Sequence, residues 1–164
     1  VLGSSPREAA PFCNIRKAME EKKKIGFTCG AFDILHSGHA LMLKECKDIC
    51  DYLIVGLQVD PSIDRSNKNK PVQSLKERKI MLESIKWVDE IIVYETEENL
   101  YQILNNMWEM RKIDVRIIGE DWKGKKFTGH DLQIEVHYNS RNHVWSSSSL
   151  RDRIYLAETN KRKI

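Results

Sequence analysis

Between Ile25 and Leu43 the chain reads Ile-Gly-Phe-Thr-Cys-Gly-Ala-Phe-Asp-Ile-Leu-His-Ser-Gly-His-Ala-Leu-Met-Leu. An apolar run (Ile25 to Cys29) stops at Gly30, and an acidic residue follows at Asp33. His36 and His39 then bracket Ser37 and Gly38, and from Ala40 the spacing turns helical. Strand, glycine turn and helix start, in that order, is the layout of a phosphate-binding crossover. The first turn of a helix leaves N–H groups without partners and aims them at an anion. Gly38 lacks the Cβ that would hold a phosphate off the backbone, so His36 and His39 are expected to reach the same phosphate oxygens. Two competing readings are a pair of solvent-facing histidines and a zinc site. Zinc needs further ligands, and no other Cys or His pair has metal-site spacing, so no metal-ligating residue is expected.

The rest of the pattern extends this unit into a sheet. Tyr52 to Val59 is a near-continuous apolar run, as in a strand buried on both faces of a parallel sheet. Residues Asp60 to Pro71 are polar and read as a loop. Ser74 and Glu77 form a Ser-x-x-Glu capping box that opens a helix reaching about Lys86. Further strands are expected at Glu90–Tyr94, at Val115–Ile118 (ending at Gly119) and at Ile134–Tyr138. Leu100, Ile103, Leu104, Met107 and Met110 mark a helix over 99–111, and Ser146 to about Ala157 closes the chain as another. Strands alternating with helices imply an α/β fold: a Rossmann-like open parallel sheet of about five strands with helices on both faces. Ligands of such sheets bind beyond the carboxyl ends of the strands, where the strand order reverses. Residues 1–22, punctuated by Gly3, Pro6 and Pro11, read as a flexible N-terminal extension, part of it on one reading a non-native remnant, with a short helix over 14–21. Residues 23–164 then form the domain.

Composition bounds the partners. A chain of 164 residues with 31% charged and 41% hydrophobic residues suits one soluble domain. A net charge of +3 is too small to argue for a nucleic-acid partner, and Lys22–Lys24 and Lys161–Lys163 read as solvated ends. Cys13, Cys29, Cys46 and Cys50 lack disulfide-framework spacing and read as small core residues of a reducing compartment. With no apolar run of about 18 residues and no visible leader, the expectation is a cytoplasmic protein with no membrane contact.

The His36–His39 segment resembles the HxGH motif of the nucleotidyltransferase superfamily, whose members move a nucleotide monophosphate from CTP or ATP onto a phosphate-bearing acceptor. With Gly30, Phe32 and Asp33 before it, it is similar to the G-x-F-D-x-x-H-x-G-H form of cytidylyltransferases. Glu77-Arg78 through Ile92 resembles a second cytidylyltransferase segment, in which the arginine matching Arg78 binds nucleotide phosphates. Gly119-Glu120-Asp121-Trp122-Lys123-Gly124-Lys125 is similar to the G-D-D-W-x-G-K of bacterial glycerol-3-phosphate cytidylyltransferases, with Glu120 in place of the first aspartate. Arg141 to Ser148 lies where the family has R-T-E-G-I-S-T-T. Arg141 and the serines match, whereas His143 and Val144 replace Glu and Gly, which leaves cytosine against adenine open.

The resemblance, which runs from about Lys24 to Ile154, implies a nucleotidylyl-transferase-type fold. It also implies CMP transfer from CTP to a small phosphorylated acceptor (glycerol-3-phosphate-like), with pyrophosphate released and Mg²⁺ accompanying the triphosphate. His36, His39, Lys70 and Arg78 are the implied catalytic residues. The implied nucleotide-binding residues are Cys29, Gly30, Ala31, Phe32, Asp33 and Gly38 after the first strand, Gly119, Glu120, Asp121 and Trp122 after the fourth, and Arg141, Ser146, Ser147 and Ser148 near the end. A homodimer follows by analogy. Two other functional readings stay open: a superfamily transferase using ATP or a different acceptor, and a catalytically silent nucleotide-binding module.

Overall fold

The computed structural model describes residues 12–162. Helix α1 (Phe12–Glu20) leads into β1 (Ile25–Gly30), α2 (Ser37–Ile49), β2 (Tyr52–Gln58), α3 (Leu75–Glu83), β3 (Glu90–Tyr94) and α4 (Glu97–Glu109). The chain continues through β4 (Val115–Gly119), a 3-10 turn (Glu120–Trp122), β5 (Glu135–Asn139) and α5 (Ser147–Lys161). The strands form one sheet in the order β3-β2-β1-β4-β5, and every pairing is parallel. The order reverses between β1 and β4, so the crevice beyond those two strand ends is where a ligand is expected.

Side-chain alternation along the strands builds a core on each face. Tyr52 and Ile54 of β2 join Phe27, Tyr94, Leu100, Leu104 and Met107 under α1 and α4. Leu53, Val55 and Leu57 point the other way, to Leu43, Cys46, Leu82, Val115 and Ile117 under α2 and α3. All seven residues of β2 are buried, which is why that strand reads as an unbroken apolar run.

The expected five-strand parallel architecture is found, with local differences at element ends. The Ser74–Glu77 capping box is present in both directions. Helix α3 stops at Glu83 because the Ser84 N–H and hydroxyl turn back onto carbonyls of the last turn. Helix α4 starts at Glu97, with Thr96 as its cap. Of the expected flexible extension, the part from Phe12 is helical, and Ile15 and Ala18 are buried in the core. Residues 1–11 of that extension lie outside the described residues.

Candidate active site

The carboxyl ends of β1 and β4 open into a cavity of about 960 Å³. The turn after β1 supplies its first wall: Cys29, Gly30, Ala31 and Phe32, then His36, Gly38 and His39 where α2 begins. The turn after β4 contributes Gly119, Asp121 and Trp122, and the segment entering α5 contributes Arg141, Ser146 and Ser147. Three stretches far apart in sequence, each singled out by its motif, therefore meet at the switch point.

His36 caps α2: its Nδ1 accepts the Gly38 N–H at 3.0 Å. That bond fixes the tautomer, because a nitrogen accepting a backbone N–H carries no proton, so the ring hydrogen is on Nε2. Nε2 lies 3.2 Å from the Ser147 hydroxyl, which joins the cap of α2 to the first turn of α5. The His36 and His39 rings stack, with centroids 4.0 Å apart and planes 29° from parallel. The expectation that both imidazoles reach the same oxygens is thereby refined. At that separation no anion fits between the two faces, and only the adjoining ring edges are left to face a ligand.

Burial pushes the His39 imidazole down to about 4, helped by the neighbouring His36. His36 is lowered as well, by desolvation and then by His143, Arg141 and Arg153. Both rings are therefore neutral N–H donors at neutral pH in the unliganded site. The charge of a bound anion favours the protonated imidazole and so acts against these shifts.

A third imidazole completes the group. His143 stacks on Trp145, with centroids 5.7 Å apart, and lines the cavity. Gly38 is required by this approach: a Cβ there would meet the His143 ring at 2.8 Å, the His36 ring at 2.9 Å and the Trp145 carbonyl at 2.9 Å. Protein atoms occupy the space that was expected to admit a phosphate to the backbone. His143 was visible in the sequence only as a departure from the family pattern, because nothing local indicates which way a loop histidine faces.

Asp33 and Arg78 belong to the frame of the site. The backbone of Phe32 and Ile34 is left-handed (φ 49° at each), a conformation costing on the order of 1–3 kcal/mol per residue for such side chains. Asp33 holds this turn from beneath, accepting the Val72 and Gln73 N–H groups at 2.9 Å each and an N–H of Arg151 at 2.5 Å. Arg78 is only 2% exposed. Its guanidinium donates to the carbonyls of Ala31 (2.8 Å), Gln58 (2.7 Å), Val59 (2.6 Å) and Gln73 (3.2 Å), tying the β1 turn to the end of β2. Arg78 does not line the cavity, so the expectation that it binds triphosphate oxygens is corrected: its donors are committed to main-chain carbonyls. Lys70 is exposed outside the cavity, and Lys68, two residues earlier, lines it instead. Glu120 and Ser148 are likewise exposed and outside the lining.

Toward α4 the cavity is lined by Tyr94, Glu97 and Tyr101, and by Arg116, the second residue of β4. Sequence reasoning passed over Arg116, although a charge inside the apolar run Val115–Ile118 was its signal. Among the described residues, no cluster of three or more His, Cys, Asp or Glu side chains could hold a metal ion.

Comparison with known proteins agrees with the fold. Residues 27–153 match the family model described as cytidylyltransferase-like. The chain is 32% identical over 156 residues to the bifunctional protein HldE of Helicobacter pylori (strain HPAG1), covering 94% of this chain and 33% of that protein. It is 38% identical over 115 residues to HldE of Wolinella succinogenes, covering 70% of this chain and 23% of that one. It thus spans about a third or less of the curated relatives it matches. Among solved structures, a lipopolysaccharide core biosynthesis protein from Thermoplasma volcanium superposes with a TM-score of 0.60 at 25% identity, covering 74% of this chain and 99% of that one. Motif, topology and family model coincide over the same residues, and the chain belongs to the cytidylyltransferase-like family of nucleotidyltransferases.

Proposed function

We propose that the chain transfers CMP from CTP to a small phosphorylated acceptor of glycerol-3-phosphate type and releases pyrophosphate. The observation that carries this reading is the His36–His39 pair at the start of α2, facing the switch-point cavity together with Ser147. An acceptor phosphate oxygen attacks the α-phosphorus in line, and the bond from that phosphorus to the bridging oxygen breaks. Its electron pair leaves on pyrophosphate, so no protein nucleophile is needed, and catalysis is positioning plus stabilisation of spreading negative charge. His36 Nε2–H and the His39 ring edge face the α- and β-phosphates. Ser146, Ser147 and Arg141 close over them, and Lys68 meets the outer phosphates.

Mg²⁺ is the natural companion of the triphosphate, neutralising part of its charge. Asp121, a lining carboxylate just past the end of β4, would hold it, with the remaining ligands supplied by phosphate and water. Asp121 and Trp122 also support CTP through their resemblance to the glycerol-3-phosphate cytidylyltransferase segment. His143, standing where that pattern has glutamate, favours a second reading in which ATP is the donor. A sugar-type acceptor draws support from the name of the Thermoplasma relative. The exposed Ile154, Tyr155 and Leu156 of α5, a helix with no buried residue, support a homodimer that covers them. We place the activity in the cytoplasm, where nucleoside triphosphates are available. Among the described residues no helix is long and apolar enough to cross a membrane.

The test is pyrophosphate release with CTP and ATP in turn against a panel of phosphorylated polyols and sugars, preceded by thermal-shift ranking of the two nucleotides. Release with CTP and a polyol phosphate supports the main reading, and release with ATP alone moves it to the second. A chain that binds nucleotide and releases nothing with any pair is a silent binding module.

A further inference from the structure

Arg116 is a buried cation without a counter-ion. It is 4% exposed at the second position of β4, where it is paired in register with Phe27 of β1. Its guanidinium carbon lies 5.2 Å from the Phe27 ring centre, and Nη2 donates to the Cys29 thiol at 3.2 Å, a weak acceptor. Nε and Nη1, which carry three of the five N–H donors, have no hydrogen-bond partner among the described residues. Among the described residues no carboxylate forms an ion pair with it. Glu97, which lines the same cavity, is already paired with Arg65 at 3.3 Å and accepts the Thr128 hydroxyl at 2.5 Å. Likewise, Asp131 accepts the Tyr101 hydroxyl at 2.9 Å.

Burying a charge with no partner opposes folding, and such groups are ordinarily paired or bound to ligand. Arg116 is among the residues that line the cavity, its unpaired nitrogens buried at the cavity wall, and the missing anion is one that a ligand can bring. The position of Arg116 says which anion. Helix α2, which carries His36 and His39, packs on the face of Leu43, Val115 and Ile117, whereas Phe27 and Tyr94 beside Arg116 belong to the opposite face, under α4. The phosphate that attacks must lie against the α-phosphate that the histidines hold, and so near the α2 side. We therefore infer that Arg116 binds a second anionic group, a carboxylate or another phosphate, at the end of the acceptor remote from its reacting phosphate. The substrate class is then an acidic phosphorylated polyol or sugar. This rests on the transferase reading of the cavity and narrows its acceptor.

The experiment separates the two propositions by reading acceptor binding without nucleotide. Thermal-shift titrations of the full chain use 3-phosphoglycerate against glycerol 3-phosphate, and a uronic acid 1-phosphate against its parent hexose 1-phosphate. A bisphosphate of each scaffold separates carboxylate from phosphate. The same titrations are run on Arg116→Met and Arg116→Lys, with circular dichroism to establish that each variant is folded. The expected result is at least tenfold tighter binding of the acidic member of a pair by the wild type, a ratio near one in Arg116→Met, and partial recovery in Arg116→Lys. Equal binding within every pair, including no binding by any member, overturns the inference. So does an acidic preference that survives in Arg116→Met. Pyrophosphate release is measured in parallel. Its failure with every pair, while the Arg116-dependent preference stands, counts against the transferase reading alone.

Discussion

Arg151, in the first turns of α5, donates to Asp33 in the turn after β1, at 2.5 Å and across 118 residues of sequence. The carboxylate is 8% exposed and the arginine 25%, so the bond is shielded from solvent. Through it the helix that brings Ser146 and Ser147 to the cavity is tied to the left-handed turn that leads to His36. A hydrogen bond between charged groups in such a setting contributes about 1.5–3 kcal/mol. Arg151→Ala and Asp33→Asn are expected to destabilise the fold and to raise the nucleotide KM several-fold. In a double-mutant cycle by urea denaturation the pair should couple by about 1 kcal/mol or more. Strict additivity would mean that the two residues act independently.

Arg78 distinguishes a frame residue from a phosphate ligand. Removing its guanidinium leaves the carbonyls of Ala31, Gln58, Val59 and Gln73 without their donor in a buried place. Arg78→Met is therefore expected to cost about 3 kcal/mol or more, and to lower Tm by roughly 6–12 °C for a domain of this size. A direct triphosphate ligand would behave differently, raising the nucleotide KM with Tm unchanged. Differential scanning fluorimetry alongside steady-state kinetics separates the two outcomes.

His39→Ala tests the centre of the mechanism. Loss of one preorganised donor to the developing charge typically costs about 2.7–4 kcal/mol of barrier, so turnover is expected to fall at least a hundredfold with the fold intact. The depressed His39 pKa adds a pH signature. Between pH 6.5 and about 4 the unfolded chain takes up a proton that the folded chain refuses, so wild-type stability falls as pH drops through that window. His39→Gln removes this contribution, and its Tm should decline less steeply from pH 7 to 4. Nucleotide binding, which draws the imidazole pKa values up, is expected to tighten as pH falls from 8 to 6 by calorimetry.

Much of this architecture was legible in the chain itself, and the parts that were not have physical causes. The glycine turn of 30–38, the Ser74–Glu77 box and the buried run of β2 are local signals, each set by backbone chemistry within a few residues, and each lies where the pattern put it. The motifs of β1, β4 and α5 converge because the topology forces them to one edge of the sheet. Roles that depend on side-chain direction were not legible. Arg78 shares a motif with phosphate-binding arginines, yet a helix can turn such a residue toward carbonyls. Lys68 and Lys70 occupy one polar loop and differ only in how that loop folds back. Arg116 broke an apolar strand, but which cavity it faces depends on the packing of α4, which is remote in sequence.

At the other end of the sheet from the site, Glu90 supplies a stability test of opposite sign to His39. Glu90 is 9% exposed at the start of β3; one carboxylate oxygen accepts the Tyr52 hydroxyl at 2.9 Å and the other has no hydrogen-bond partner among the described residues. Burial pushes the carboxyl up to about 7, against the opposing pull of the Tyr52 bond and the Lys112 charge. As pH rises from 4.5 to 7 the unfolded chain gives up this proton while the folded chain keeps it, so stability falls through that window and stays low above it. Glu90→Gln keeps an acceptor for Tyr52 and has no charge to bury. It is expected to exceed the wild type in stability at pH 8 by on the order of 1–3 kcal/mol, with the difference closing toward pH 4. Chemical denaturation at pH 4, 6 and 8 reads this directly. A Gln variant that is equally destabilised at all three values would mean that Glu90 acts through shape and hydrogen bonding, with its charge already neutralised.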